Sequence, residues 1–131
     1  MTRSQSRENA FLILFEQQFD QPLEEILELA KEVKDMEISD FSLQLVNGVN
    51  SNIDEIDACF EQHLKKWKKS RLSKTALSIL RLATYEMLFE EDIPQSVSIN
   101  EAVELAKKYS VEEEASLING VLGSISRQEN K

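Results

Sequence analysis

Residues 73–89 read SKTALSILRLATYEMLF, and they carry an apolar face that is almost continuous. Apolar or small residues recur at every third or fourth position, which is the spacing of one face of an α-helix. The members of this face are Ala76, Leu77, Leu80, Ala83, Thr84, Met87 and Leu88. Ser73 precedes the first turn, where its hydroxyl can accept a hydrogen bond from a free backbone amide. The segment predicts the most buried helix of the fold, with Ser73 as its cap.

Helical spacing of apolar residues continues on both sides of this segment, and no segment alternates apolar and polar residues as a half-buried strand does. Only three Gly and two Pro occur in 131 residues, which suits helices joined by short turns. Further helices are predicted to begin near residues 4–6, near Pro22, and at Ser39, Ser98 and Ser110. The helix that begins at Ser39 is expected to continue to about Leu64.

These patterns predict an all-α protein of about seven helices in two three-helix bundles. The chain is expected to form one domain. Its N-terminal lobe covers about residues 1–64, a basic connector covers 65–73, and a C-terminal lobe covers about 74–127.

The composition excludes several classes of protein. Hydrophobic residues make up 41% of the chain and charged residues 30%, which fits a folded domain rather than a disordered chain. A single Cys rules out an internal disulfide bond and suits a reducing compartment. No apolar run is long enough to span a bilayer, and the first residues lack the apolar stretch of a secretory signal. We expect a cytoplasmic protein without a membrane segment.

The residues that usually carry catalysis or bind metals are few. Cys59 and His63 are four apart and would share one face of a helix, but a structural zinc site needs four ligands. No other Cys or His occurs, and the three Gly residues do not have the spacing of a phosphate-binding loop. We therefore expect no metal, no cofactor and no catalytic residue, and the protein is not predicted to be an enzyme.

The chain has a formal net charge of −9, yet six of its 15 Lys and Arg residues lie between Lys65 and Lys74. That segment reads KKWKKSRLSK and contains no acid. Such a cluster produces a local positive field, and the ligand that it suits first is a nucleic acid. The candidate RNA contacts in this segment are Lys66, Lys69, Arg71 and Lys74. The alternative is a solvated surface run, and Trp67 is expected to pack on the core rather than stack on a base.

Two more cations, Arg3 and Arg7, lie near the N-terminus with only polar residues between them. They are expected to project from the first turn of the first helix, where the helix dipole favours anions instead. Cations at this end of a helix weaken it slightly, so their presence at the surface indicates a functional role. Both are therefore candidate RNA contacts.

Four strings in the C-terminal half carry a resemblance to a known family. They are ILRLATYEML at residues 79–88, DIP at 92–94, VSINEAVELAKK at 97–108 and INGVL at 118–122. In this order and spacing they resemble the NusB family of bacterial transcription antitermination factors. The resemblance implies two three-helix lobes and a function without catalysis. It also implies pairing with NusE, a small-subunit ribosomal protein. The pair would bind boxA RNA and help RNA polymerase to read through terminators in ribosomal RNA operons.

The resemblance also implies roles for individual residues. The family has an arginine-rich motif at the start of its first helix that contacts RNA, and Arg3 and Arg7 match its outer positions. Tyr85 and Glu86 match a stretch associated with the surface that faces NusE. Leu117 stands where the family often has an aromatic residue before an Asn-Gly pair. The family contains monomers and dimers, so a homodimer stays open.

Other interpretations stay open at this stage. The net charge of −9 favours a helical protein-interaction module without an RNA role. Ribosomal RNA cytosine methyltransferases can carry a NusB-like N-terminal domain, and this interpretation would require a methyl-donor domain beyond Lys131. For Glu86, the alternative to a partner contact is an ion pair with Arg81 on the same helix.

Overall fold

The computed structural model describes residues 1–129, and within that range it contains seven α-helices and no strand. The helices are α1 (Arg3–Gln17), α2 (Leu23–Glu32), α3 (Asp40–Ser51), α4 (Ile53–Glu61), α5 (Lys74–Phe89), α6 (Gln95–Tyr109) and α7 (Glu112–Glu129). A 3₁₀ turn at Lys69–Arg71 lies between α4 and α5. The prediction of an all-α fold with about seven helices is confirmed. None of these helices combines the length and the hydropathy needed to cross a bilayer.

Helix α5 lies at the centre of the fold, as its apolar face predicts. It packs against α1, α3, α4, α6 and α7, and Ala76 and Leu80 on its inner face are completely buried. Ser73 caps the helix as predicted, since its Oγ accepts a hydrogen bond from the backbone amide of Ala76 at 3.0 Å. Helices from both halves of the chain share one hydrophobic core around α5. The division into two lobes at residues 65–73 stays a prediction.

The predicted start of α6 at Ser98 is wrong, because α6 begins three residues earlier, at Gln95. Ser98 lies inside the helix, and its hydroxyl donates to Glu86 Oε1 at 3.0 Å instead of capping the first turn. A Ser-x-x-Glu spacing also occurs inside helices, so the spacing alone does not locate a helix start. Helix α7 begins at Glu112, close to the predicted start at Ser110.

The prediction of one unbroken helix over residues 39–64 is also wrong. Helix α3 ends at Ser51 and α4 begins at Ile53. Between them Asn52 has φ −126° and ψ 24°, which is outside the helical range. Its side-chain amide donates to the carbonyl of Gly48 at 2.8 Å, and this bond satisfies a carbonyl at the end of α3. Apolar residues keep their spacing across the break, so the pattern did not reveal it.

A close approach between α3 and α5 requires glycine at position 48. A Cβ atom added to Gly48 would lie 2.3 Å from Cε1 and Cζ of the buried Tyr85 ring. We expect Gly48→Ala to lower the free energy of unfolding by about 1–2 kcal/mol, because the steric cost exceeds the gain in helix propensity. Urea denaturation measures this change. Gly120→Ala is the matched control: nothing lies within 4 Å of its added Cβ. This second variant should stabilise the protein by up to about 1 kcal/mol, and equal effects of the two would contradict the account.

Candidate nucleic-acid interface

The cluster of cations lies on a surface segment that crosses from α4 to α5. We call residues 65–74 the basic segment. Leu64 before it is buried, and the backbone turns at Lys65, which has φ 56°. The exposed cations of the segment are Lys65, Lys66, Lys68, Arg71 and Lys74. None of these five forms an ion pair with another residue in the range 1–129. Lys65, Lys66, Lys68 and Arg71 are therefore free to meet an anionic ligand, whereas Lys74 Nζ lies 5.3 Å from the centroid of the Phe19 ring.

Lys69 is the exception, because it is engaged by carboxylates. Its Nζ lies 2.9 Å from Asp57 Oδ2 and 3.5 Å from Glu61 Oε1. Asp57 also accepts two hydrogen bonds from Arg81, at 2.9 and 2.8 Å, so the suggested pair between Arg81 and Glu86 is wrong. Burial alone would raise the pKa of Asp57, but the hydrogen bonds from Arg81 and Lys69 outweigh it and hold that pKa below its usual value. Lys69 therefore ties the basic segment to α4.

Helix α7 holds both ends of this region. His63 Nδ1 lies 2.7 Å from Ser124 Oγ, and its Nε2 lies 2.8 Å from Gln128 Oε1. At the other end the amide and hydroxyl of Ser73 donate to the Glu114 carboxylate at 3.2 and 2.8 Å. The free cations are therefore presented from a backbone that is fixed at both ends.

Cys59 and His63 do not form a metal site with other ligands. Cys59 is half-buried, and burial raises the pKa of its thiol. Both ring nitrogens of His63 have hydrogen-bond partners on α7. Across residues 1–129, no group of three or more His, Cys, Asp and Glu residues is arranged to hold a metal ion.

Trp67 is half-buried: part of its side chain packs against the core as predicted, and the rest stays exposed. Two open clefts meet at Trp67 and Leu117. One has a volume of about 340 Å³ and is lined in part by Lys66 and Arg127. The other has a volume of about 530 Å³ and is lined in part by Glu113. Trp67 thus stands between a cleft that carries cations and a cleft that carries carboxylates.

The expectation that Arg7 projects into solvent is wrong. Its side chain is only 4% exposed and lies against Glu86, whose side chain is 2% exposed. Arg7 Nε lies 3.0 Å from Glu86 Oε1 and 2.8 Å from Oε2. Its Nη1 lies 3.6 Å from Glu101 Oε1, and the Ser98 hydroxyl donates to the Glu86 carboxylate. A buried guanidinium needs an opposite charge and further hydrogen bonds. Helices α5 and α6 supply both, so Arg7 joins α1 to these helices.

Arg3 stays at the surface, but it is not in contact with the basic segment. Its guanidinium carbon lies 4.4 Å from the centroid of the Phe41 ring, and that of Arg7 lies 5.5 Å from the same centroid. Such contacts attract the cation to the ring face. Arg3 is therefore held against α3, whereas the basic segment is held by α4 and α7.

The sequence model of the NusB family matches residues 4–127 of the chain. This chain belongs to the NusB family. The transcription antitermination protein NusB of Clostridium botulinum (strain Loch Maree / Type A3) is 48% identical over 141 residues, covering 95% of this chain and 99% of that protein. The protein of the same name from Clostridium novyi (strain NT) is 48% identical over 130 residues, covering 95% and 98%.

Solved structures of NusB proteins have the same fold. The T. maritima NusB structure matches with a TM-score of 0.86 at 36% identity, covering 98% of this chain and 92% of that chain. A crystal structure described as antitermination factors NusB and NusE in complex with dsRNA matches with a TM-score of 0.84 at 28% identity. That match covers 96% of each chain.

The two residues that match the NusE-facing stretch of the NusB family are both buried. Tyr85 is 6% exposed, and its hydroxyl donates to Glu90 Oε2 at 2.8 Å. Burial and the Glu90 carboxylate raise the pKa of Tyr85 to about 12. Glu86 is 1% exposed and is held by Arg7. Their role in partner binding stays a prediction. Because both side chains are buried, they would affect a partner only by positioning the residues that cover them.

Two residues that organise this region were missed from the sequence. Asp57 lies at an inward position of α4, between the buried Ile56 and Phe60. A carboxylate among the apolar residues of a helical stripe is a signal of a buried ion pair. Phe41, which holds Arg3 on α3, gave no comparable signal because its partner lies in another helix.

Proposed function

We propose that this chain is an RNA-binding transcription antitermination factor. Together with NusE it binds boxA RNA and promotes read-through of ribosomal RNA operons. The observation that carries the proposal is the group of five exposed cations in residues 65–74, none of them in an ion pair with a described residue, on a protein of net charge −9. Relatives at 48% identity that bear the name transcription antitermination protein NusB support it, as does the solved NusB–NusE complex with RNA.

The exposed cations of the basic segment contact phosphates of the RNA. Each Lys or Arg that neutralises a phosphate releases a counterion, and for a single strand log affinity falls by about 0.7 per contact for each tenfold rise in salt. Three to five contacts therefore give a slope of about −2 to −3.5. Phosphate contacts position the strand without reading its sequence. Lys69 and Arg7 are engaged by carboxylates instead: Lys69 ties the basic segment to α4, and Arg7 joins α1 to α5 and α6.

Trp67 and Leu117 offer the nearest surface for a base. Base stacking on an aromatic ring tolerates any sequence and adds to phosphate binding. Both side chains are half-buried and line the two clefts at the basic segment. A strand whose phosphates lie on the cations can therefore place a base against them.

The chain alone binds RNA weakly, and NusE supplies a second surface for the same strand. Linking two surfaces on one ligand raises the overall affinity without any new contact on either. In this proposal the complex acts on RNA polymerase in the cytoplasm, and the chain contributes binding and not catalysis.

Titration of labelled RNA by fluorescence anisotropy tests the proposal. The ligands are a boxA single strand, a scrambled strand of equal composition and a boxA duplex, each with and without NusE, at two salt concentrations. We expect NusE to raise affinity for the boxA strand at least about tenfold. We also expect the boxA strand to bind more tightly than the scrambled strand and the duplex. The proposal fails if NusE gives no gain and the boxA strand is not preferred.

The second candidate is a helical protein-interaction module without an RNA role. The net charge of −9 and the pairing of Arg7 and Lys69 with carboxylates favour it. It predicts that RNA affinity equals that of an unrelated acidic helical protein. The same titration therefore separates the two candidates.

A further inference from the structure

A third open cleft lies between α6 and α7, and neither the basic segment nor Trp67 takes part in it. Its volume is about 580 Å³. Two exposed amides line it, Asn100 from α6 and Asn119 from α7, together with Val103 and Ala115. It therefore combines apolar side chains with neutral polar groups.

This cleft continues the surface that holds Trp67. Glu112 and Ser116 line both the α6–α7 cleft and the cleft at Trp67 and Leu117. A ligand that lies along the basic segment and Trp67 can therefore reach Asn119 without crossing another element. The two clefts are neighbours on the exposed face of α7.

The charges of the α6–α7 cleft do not suit a phosphate. The lining includes the carboxylates of Glu104 and Glu112 but only one cation, Lys107. Lys107 Nζ lies 3.6 Å from Glu104 Oε1, so a carboxylate faces that cation. Carboxylates accept hydrogen bonds and repel anions. The part of a ligand that lies in this cleft is therefore expected to be uncharged and to donate hydrogen bonds.

The two amides have free hydrogen-bonding capacity. Within residues 1–129, neither the Asn100 nor the Asn119 side chain forms a hydrogen bond with another residue. An Asn amide offers a donor and an acceptor side by side, which is the pattern that pairs with the edge of a base. Unstacked bases of single-stranded RNA are recognised in this way.

We propose that the cleft between Asn100 and Asn119 holds one unstacked RNA base that carries an exocyclic amino group. The base belongs to the same strand whose phosphates lie on the basic segment, so this inference rests on the proposed function. The amides bind the edge of the base, and Val103 and Ala115 contact its face. The carboxylates of Glu104 and Glu112 favour an amino group over a carbonyl, because an amino group donates where a carbonyl only accepts. The cleft thus prefers cytosine, adenine or guanine to uracil.

Twelve-nucleotide oligocytidine and oligouridine test the inference, because cytosine and uracil have the same ring and differ in the amino group. The protein is the full chain with NusE, and the readout is fluorescence anisotropy. We expect the unsubstituted chain to bind oligocytidine about tenfold more tightly than oligouridine. Asn100→Ala/Asn119→Ala removes the amides that hold the edge of the base beside Glu104 and Glu112, so the preference should fall to within about twofold. Affinity for oligouridine and its salt slope should stay unchanged.

Asn47→Ala is the matched control, because Asn47 is an exposed helical amide on α3. It should keep the tenfold preference. Alanine is the better helix former at all three positions, so the variants are expected to fold, and thermal unfolding checks this. A preference that survives in the double variant, or that is absent in the unsubstituted chain, overturns the inference while boxA binding still supports the proposed function. Failure of boxA binding itself overturns both.

Discussion

Glu86→Ala is expected to lower the free energy of unfolding by about 3–5 kcal/mol, as measured by urea denaturation. The substitution leaves the Arg7 guanidinium buried, with only Glu101 nearby at 3.6 Å. It also removes the acceptor of the Ser98 hydroxyl. An uncompensated buried charge is among the most costly defects that one substitution can create. The loss would show that α1, α5 and α6 are held together through this carboxylate.

Two variants separate this effect from a general sensitivity to lost acids. Glu91→Ala removes an exposed carboxylate two residues beyond the end of α5, and it should change stability by less than about 0.5 kcal/mol. Arg7→Met/Glu86→Leu replaces the whole ion pair by apolar side chains, and it should recover most of the stability. If Glu86→Ala costs no more than Glu91→Ala, the buried pair does not hold the helices together.

Neutralising the exposed cations of the basic segment is expected to abolish most RNA binding. In the variant Lys66→Gln/Lys68→Gln/Arg71→Gln/Lys74→Gln, four phosphate contacts are lost. At about 0.7 log units per contact, affinity at about 0.1 M salt falls on the order of 10²- to 10³-fold. The salt slope should become shallower by about 2.8. Because these side chains are exposed and form no ion pairs with described residues, thermal unfolding should change little.

Lys31→Gln/Lys34→Gln is the control for net charge. Both lysines are exposed and lie at or just beyond the end of α2, away from the basic segment in the chain. This variant should change RNA affinity less than twofold. If it weakens binding as much per charge as the basic-segment variant does, the RNA responds to the overall charge of the protein and not to a defined surface.

Apolar spacing predicted the helices well because each helix buries one face, and a buried face leaves a periodic trace in the sequence. Helix α5 shows this: its cap at Ser73 is present, and the predicted inner face is buried except at Leu77 and Leu88, which are half-buried. The break at Asn52 was not predictable in this way, because it depends on one side-chain hydrogen bond to Gly48. Ser98 was assigned to a helix start because its spacing to Glu101 is that of a capping box.

Only those parts of the candidate site that consist of residues adjacent in the chain could be predicted from the sequence. The basic segment is such a case, since its cations are adjacent in the chain. The burial of Arg7 depends on Glu86, which is 79 residues away, and the engagement of Lys69 depends on Asp57 in another helix. The cleft at Asn100 and Asn119 exists only once α6 and α7 are packed together. Spacing can indicate that a residue such as Asp57 is buried with a partner, but it does not identify the distant residue that pairs with it.

In the proposed complex, RNA lies on the basic segment at Trp67. Trp67 is the only tryptophan of the chain, so its indole N–H gives a single, assignable NMR signal. Titration of the isotope-labelled chain and unlabelled NusE with boxA RNA should shift this signal, together with the amide signals of residues 65–74. RNA binding that leaves the Trp67 indole and these amides unmoved, while signals elsewhere in the chain shift, would contradict the account.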